Sequence, residues 1–460
     1  GLSLKGVESV SALSSLRVKF MLGTDHNRDL IINIASMPII SKDFFATRKF
    51  DVTTVTPIVG SGPYKVSKVE IGRRIVYDRD PDYWGKDLSV NRGRYNFDQI
   101  RVDYFRDRSI AFEAFTAGEY DFHEEFNSKR WFTQYDRPAV RRGHIKREKL
   151  VDNNPSGVQA FFFNLRRSKF KDRRVRQALN LAFDFEWTNQ RLFYNLYKRT
   201  NSMFENSSLA AHMLPGPREL ALLEPLRDLV PVEVFKQPFR SATTDGSGVN
   251  RSNLLTAVKL LREAGWKVKK GRLVDRDGKP FDVEFLISKA SFQRIIGPYL
   301  KNLRRLGIRG FIRRVDAANF QRRRQRFQFD IIMQRYVQRL TPGVEQKNYY
   351  GSAAANEPGS LNYPGIENVA VDTLIDHILS ASSRPALIAS ARALDRVLMW
   401  NYYLIPQWYK GVHNIAYWDK FSRPRQRPKF DIGLIDTWWY DIEKARQIDS
   451  SLSHNVSVKE

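Results

Sequence analysis

Asn164-Leu-Arg-Arg-Ser-Lys-Phe-Lys-Asp-Arg-Arg-Val-Arg-Gln-Ala-Leu-Asn-Leu-Ala-Phe-Asp184 follows directly on an apolar run, Val158-Gln-Ala-Phe-Phe-Phe163. The run reads as a buried strand. Arg173 to Phe183 reads as a helix, because Val175, Ala178, Leu179 and Ala182 recur at the spacing of one helical face. A basic turn joins the two, so a strand feeds straight into a helix and opens an α/β layer well inside the chain.

Working outward, the segments on the carboxyl side alternate in type. Asn253 to Ala264 carries Leu254, Leu255, Val258, Leu260 and Leu261, with Gly265 placed to cap its end. Phe281–Ile287 is predicted as a strand, Arg294–Leu306 as a helix stopped by Gly307, and Ile308–Arg313 as a further strand. This βαβ order predicts parallel pairing with helices on the sheet faces. A helix ending near Arg326, the strand Phe329–Met333 and two paired helices, Val369–Leu379 and Ala386–Trp400, follow. On the amino side the texture is β-rich: Gly60-Ser-Gly-Pro-Tyr64 turns into the alternating runs Lys65–Val69 and Arg74–Tyr77, and Asp98–Tyr104 adds another strand. A short helix, Ser109–Thr116, is attached. The aromatic stretch Tyr402–Tyr409 leads into a tail that is β-like again, so it returns to the first lobe.

At 460 residues, 42% hydrophobic and 13% aromatic, the chain folds around sizeable cores. The sequence contains no run of eighteen apolar residues. The absence of cysteine excludes disulfides and thiolate chemistry. Its net charge of +26 implies attraction to anions, and the charge is densest at Lys301–Arg326, where ten Lys or Arg face one acid, Asp316. Such a run reads first as solvated helix faces and a strand edge, and nucleic acid is not expected as a partner. The seven histidines (His26, His123, His144, His212, His377, His413, His454) are scattered, so no metal site is expected. The sequence lacks a phosphate loop and a nucleophile elbow. Glu124-Glu125 is adjacent rather than spaced to flank a substrate. No cofactor and no enzymatic activity are expected.

Several motifs, in order, resemble those of the extracellular solute-binding proteins of family 5, the peptide- and dipeptide-binding components of ABC importers. They are Gly60–Tyr64, Asp80-Pro-Asp-Tyr-Trp-Gly85, Ala117-Gly-Glu-Tyr-Asp121 and Arg174-Val-Arg-Gln-Ala-Leu179 onward to Asp184. Lys129-Arg-Trp131, Arg199-Thr-Asn-Ser-Met-Phe-Glu-Asn-Ser207 and Glu219–Pro225 are similar to the YejA-like branch in particular.

The resemblance implies an α/β, two-lobed, periplasmic-binding-protein-like fold (type II, cluster C) with mixed sheets and a hinge. Lobe I would be 1–158, β-rich and incomplete, lobe II 159–410, and 411–460 the return to lobe I. Arg173, Arg174 and Arg176 are then expected at the surface or hinge. The implied activity is capture of oligopeptides between the lobes in the periplasm, for delivery to an inner-membrane permease and its ATPase.

In the peptide-binding relatives the strand matching Phe329–Arg339 supplies backbone partners, which makes Tyr336, Val337 and Gln338 candidate ligand contacts. Relatives place an Asp just after that strand for the peptide's amino terminus, and Arg339 stands nearest to that position. Arg324 falls where relatives that bind cell-wall peptides hold a ligand carboxylate. These two arginines favour an acidic or modified peptide, such as a muropeptide. Trp408 and Tyr409 are candidates for the cleft wall. Family members carry a longer amino-terminal segment, so part of lobe I is expected elsewhere, including on a separate chain. The rival readings are a binding protein for a non-peptide solute and a basic nucleic-acid-binding or envelope scaffold protein.

Overall fold

In the computed structural model, Val158–Phe163 is a strand with five of its six side chains buried. It sits between two antiparallel neighbours. Ile331–Tyr336 pairs along its whole length, from Phe163 opposite Ile331 to Val158 opposite Tyr336, and Leu404–Pro406 pairs on the other side. Asp282–Ile287 runs parallel to Ile331–Tyr336 and to the edge strand Arg309–Arg314. The sheet has five strands and is mixed. Its parallel part comes from the predicted βαβ unit, and the antiparallel part from the strands that enter and leave the unit.

Alternate side chains of the central strand feed two separate cores, as the two-residue period requires. Phe161 and Phe163 pack with the helices Arg173–Leu181, Arg251–Glu263 and Gln293–Arg305 through Leu179, Leu261 and Leu303. Val158, Ala160 and Phe162 pack on the other face with the paired helices Val369–Leu379 and Arg384–Trp400 through Leu374, Leu394 and Leu398. Burying each phenylalanine stabilises the fold by about 2–3 kcal/mol.

The basic turn after the strand is held from inside. Asn164 Nδ2 donates to the carbonyls of Phe327 and Phe329 at 2.9 and 2.8 Å. Lys169 Nζ reaches Asp330 Oδ2 at 2.7 Å. Asp172 caps the next helix by accepting from Arg174 N at 2.8 Å. That helix ends at Leu181, and Asp184 starts another, Phe185–Phe193, by accepting from Trp187 N. Arg176 departs from expectation. It is 3% exposed, and its guanidinium donates to the carbonyls of Phe170, Lys171 and Asn401, which replace the water it loses. Burial lowers its pKa to about 10. Arg173 donates to Trp400 O and pairs with Glu233, and Arg174 pairs with Asp172.

The structure describes Leu4, residues 6–23, 28–50, 52 and 54–457, without side chains from 451. Two compact units emerge: Gly1–Ala35 with Asn153–Gly411, and Ser36–Asp152 with Val412–Glu460. Residues 1–35 were expected with the β-rich lobe, and they cluster with the larger unit instead. The physical reason is Arg28, whose guanidinium pairs with Asp29 and donates to the carbonyls of Ile378 and Pro342. In the smaller unit the returning strand Val412–Trp418 lies between Phe122–Glu124 and Ile145–Val151. A second sheet is formed by Tyr64–Glu70, Arg74–Arg79 and Gln99–Asp103. Trp438 packs against Tyr417 and Phe122 of the first of these two sheets. Among the described residues no helix is long and apolar enough to cross a membrane.

One buried carboxylate organises the long loop after Thr200. Asp395, on the helix Arg384–Trp400, is 1% exposed and accepts from Ser202 Oγ, Met203 N and Ala211 N at 2.6, 2.7 and 2.9 Å. Burial raises its pKa to about 6 despite these donors. An Asp395→Ala variant strands two buried amides, each costing about 1–3 kcal/mol. Urea denaturation is expected to show a loss of about 3 kcal/mol.

Candidate ligand-binding site

In open α/β sheets, ligands gather beyond the carboxyl ends of the strands. The strand Ile331–Tyr336 ends at Tyr336, and the chain runs on through Val337, Gln338 and Arg339. Exposure alternates here: Arg335, Val337 and Arg339 are exposed, while Tyr336 and Gln338 are buried. The three exposed residues therefore share one face, with an apolar side chain between two cations.

The buried pair is committed to the interior. The Tyr336 ring stacks between Tyr349 and Tyr363, with centroids at 4.5 and 5.5 Å and both planes within 13°. Its hydroxyl donates to Leu361 O, and burial drives the phenol well above its ordinary pKa. Gln338 donates to Tyr350 Oη at 3.2 Å and accepts from Gln346 Nε2 at 2.8 Å. Tyr336 and Gln338 therefore have no side chain to offer a ligand, and only their backbone remains. Val337, 58% exposed, keeps its side chain free of the core while its carbonyl accepts from Tyr349 Oη.

The tyrosine stack connects the two predicted arginines. Arg324, in the last turn of the helix Ala317–Gln325, donates to Tyr363 Oη at 3.3 Å. Arg339 lies on the opposite flank, where its charge acts on Tyr349 and opposes the rise in that phenol's pKa due to burial. Gly157 supports the site from below: its φ is +62°, and a Cβ there would stand 2.1 Å from Tyr336 O. Only glycine fits such an approach.

Trp408 and Tyr409 belong to a second group. The Trp408 ring packs at 4.5 Å from Phe193 and 6.1 Å from Tyr197 within the core beneath the sheet, so it is an interior residue of this unit. Tyr409 is half-buried, and burial with the neighbouring Glu205 carboxylate raises its pKa to about 12. Glu205, 3% exposed, accepts from Asn201 N at 2.7 Å and lies 3.0 Å from His212 Nε2. Its carbonyl accepts from Ser156 N at 2.8 Å, and the Ser156 carbonyl in turn accepts from Arg335 Nη2 at 3.0 Å. Ser156–Gly157 thus joins the Glu205 cluster to the exposed face.

Arg335, Glu205 and His212 were not singled out from the sequence. Alternation along Phe329–Arg339 would have put Arg335 beside Val337 and Arg339. The ion pair of Glu205 with His212 has no short-range signal. Glu124 and Glu125 have separate partners: Glu124 lies 2.8 Å from His413 Nδ1, and Glu125 pairs with Arg130 and His123. Among the described residues no three His, Cys, Asp or Glu side chains gather as a metal cage. His26 lies outside the described residues.

The sequence model described as "Bacterial extracellular solute-binding proteins, family 5 Middle" matches residues 2–357. The chain belongs to this family. A probable peptide-binding protein YejA of Agrobacterium fabrum is 41% identical over 432 residues, which cover 92% of this chain and 70% of the relative. A peptidoglycan-binding protein YepA of the same organism is 35% identical over 445 residues, covering 95% of this chain and 72% of the relative. The family 5 chain therefore falls in the YejA-like branch. Its fold is similar to that of the oligopeptide-binding protein AppA from Bacillus subtilis, solved with a nonapeptide. The TM-score is 0.70 at 20% identity, covering 96% of this chain and 79% of that one.

Two outcomes check the geometry of the site. Gly157→Ala should destabilise the protein by more than about 2 kcal/mol, since it adds left-handed strain to a collision with Tyr336 O. Circular dichroism melts measure this. The Glu205 carboxylate raises the His212 pKa above its ordinary 6.5. The pair thus contributes fully below about pH 6.5, and its contribution is lost as pH rises through the elevated folded value. His212→Gln should therefore lower stability at pH 6 by about 0.5 kcal/mol, a surface-screened amount, and by nothing measurable at pH 9.

Proposed function

We propose that this family 5 chain is the periplasmic substrate-binding component of an ABC importer. It captures oligopeptides and hands them to an inner-membrane permease driven by its ATPase. No bond is made or broken, and the work done is binding and release. The observation that carries this reading is the exposed face Arg335-Val337-Arg339. There, at the end of an interior strand, an extended peptide would pair with the backbone, as in strand addition.

The two cations on that face give the ligand its sign. A guanidinium at Arg339 repels a peptide ammonium and attracts a carboxylate, and Arg324 adds a further guanidinium across the tyrosine stack. An acidic or modified peptide of the muropeptide kind matches this charge.

Isothermal titration with paired peptides tests the proposal. Arg339→Asp should weaken an acidic peptide about tenfold and improve one with a free amino terminus. Unchanged affinity for both would remove Arg339 from the site. Arg324→Ala should weaken carboxylate-bearing ligands by about 1–2 kcal/mol, as for a charged hydrogen bond lost. A protein stabilised against heat only by nucleic acid, with steep salt dependence, would contradict transport altogether.

A further inference from the structure

The hairpin Lys267–Lys269 with Arg272–Val274, the outer side of the helix Arg251–Glu263 and the end of the helix Gln293–Arg305 carry features that peptide capture does not use. Two apolar hollows, of about 180 and 310 Å3, meet there and share Val258 and Leu306. Leu255 and Val258, one helical turn apart, are 61% and 44% exposed, and Val268 at the hairpin is 59% exposed. A third hollow of about 410 Å3 begins beside them and is lined by Arg272, Arg304 and Arg309.

The cations around this apolar strip are not neutralised. Arg262, Lys267, Lys269, Lys270, Arg304 and Arg309 are exposed, and none forms an ion pair among the described residues. Arg272 is the exception, paired with Asp282 at 2.5 Å. On the neighbouring edge strand the acid supply differs: Glu284 takes both Arg313 and Arg323. The face therefore combines exposed aliphatic side chains with uncompensated positive charge drawn from three elements.

We infer that this face docks on an anionic phospholipid surface. Interfacial binding asks for this combination: lysines and arginines at the level of the phosphates, and aliphatic side chains reaching the headgroup boundary. The net charge of +26 strengthens attraction to an extended layer of anions more than to one small ligand. Val268 and Lys267 both line the smaller apolar hollow, so an aliphatic side chain and a cation border it together. Docking would hold the protein near the membrane where a permease works, but the inference rests on the surface and not on the identity of the peptide.

Vesicle sedimentation tests it on the full chain. Vesicles of phosphatidylglycerol and phosphatidylethanolamine should pellet the protein at low salt, and phosphatidylcholine vesicles should not. Reversing Lys267, Lys269 and Lys270 to Glu should weaken pelleting more than tenfold, and Val268→Ser should weaken it severalfold without changing net charge. The control reverses three exposed cations in the smaller unit, Arg92, Lys129 and Arg142, to Glu. Unchanged melting temperatures and peptide affinity confirm that all variants fold. Equal losses in the patch and control variants would mean that bulk charge alone acts and would overturn the inference. Failure of anionic vesicles to pellet the wild-type protein would overturn it too and leave the face to a protein partner.

Discussion

Val158–Phe163 has neighbours on both edges and helices on both faces, and the larger unit is built around that double burial. Gln159 is the strand's only residue that is not buried. A strand buried on both faces must satisfy every backbone group through its neighbours. Ile331–Tyr336 and Leu404–Pro406 do so from segments far apart in the chain. Its register is pinned, because a one-residue slip would exchange the partners of Phe161 and Phe162 between two differently shaped cores. The position of Tyr336, and hence of the exposed residues around it, follows from that register.

A second constraint passes through polar groups. Asp395 holds the amides of Met203 and Ala211. The loop between them carries Glu205, whose carbonyl holds Ser156 and whose carboxylate lies beside His212 and Tyr409. Gly157 follows, in contact distance of Tyr336. A buried carboxylate on a core helix thus fixes the loop that reaches Ser156 and Gly157. Charge burial of this kind is costly, and here three donors offset part of it.

Much of this was legible in the sequence. The strand and helix around Asn164–Asp184, the βαβ unit and the paired helices all have strong periodicity, and they stand within a few residues of their expected limits. Family membership was legible from ordered motifs. Side-chain roles were less so. Arg176 looks like a surface cation until three carbonyls from two segments enclose it. Trp408 looks like a cleft aromatic until Phe193 and Tyr197 cover it. Tyr336 and Gln338 were chosen from a strand position; alternation separates them from Val337 and Arg339, but only the tyrosine stack shows which of the two faces is closed. Residues 1–35 join the larger unit through hydrogen bonds of Arg28 to carbonyls more than 300 positions away, which no local pattern encodes.

In the proposed binding mode a peptide ligand meets the backbone just beyond Tyr336, under the influence of Arg335 and Arg339. Hydrogen–deuterium exchange, followed by mass spectrometry with and without an acidic muropeptide-like peptide at saturating concentration, addresses it directly. Slowed exchange at the amides of residues 337–340, with the buried strand Val158–Phe163 unchanged, is the predicted result. Saturation of binding with no protection at 337–340 would contradict the account.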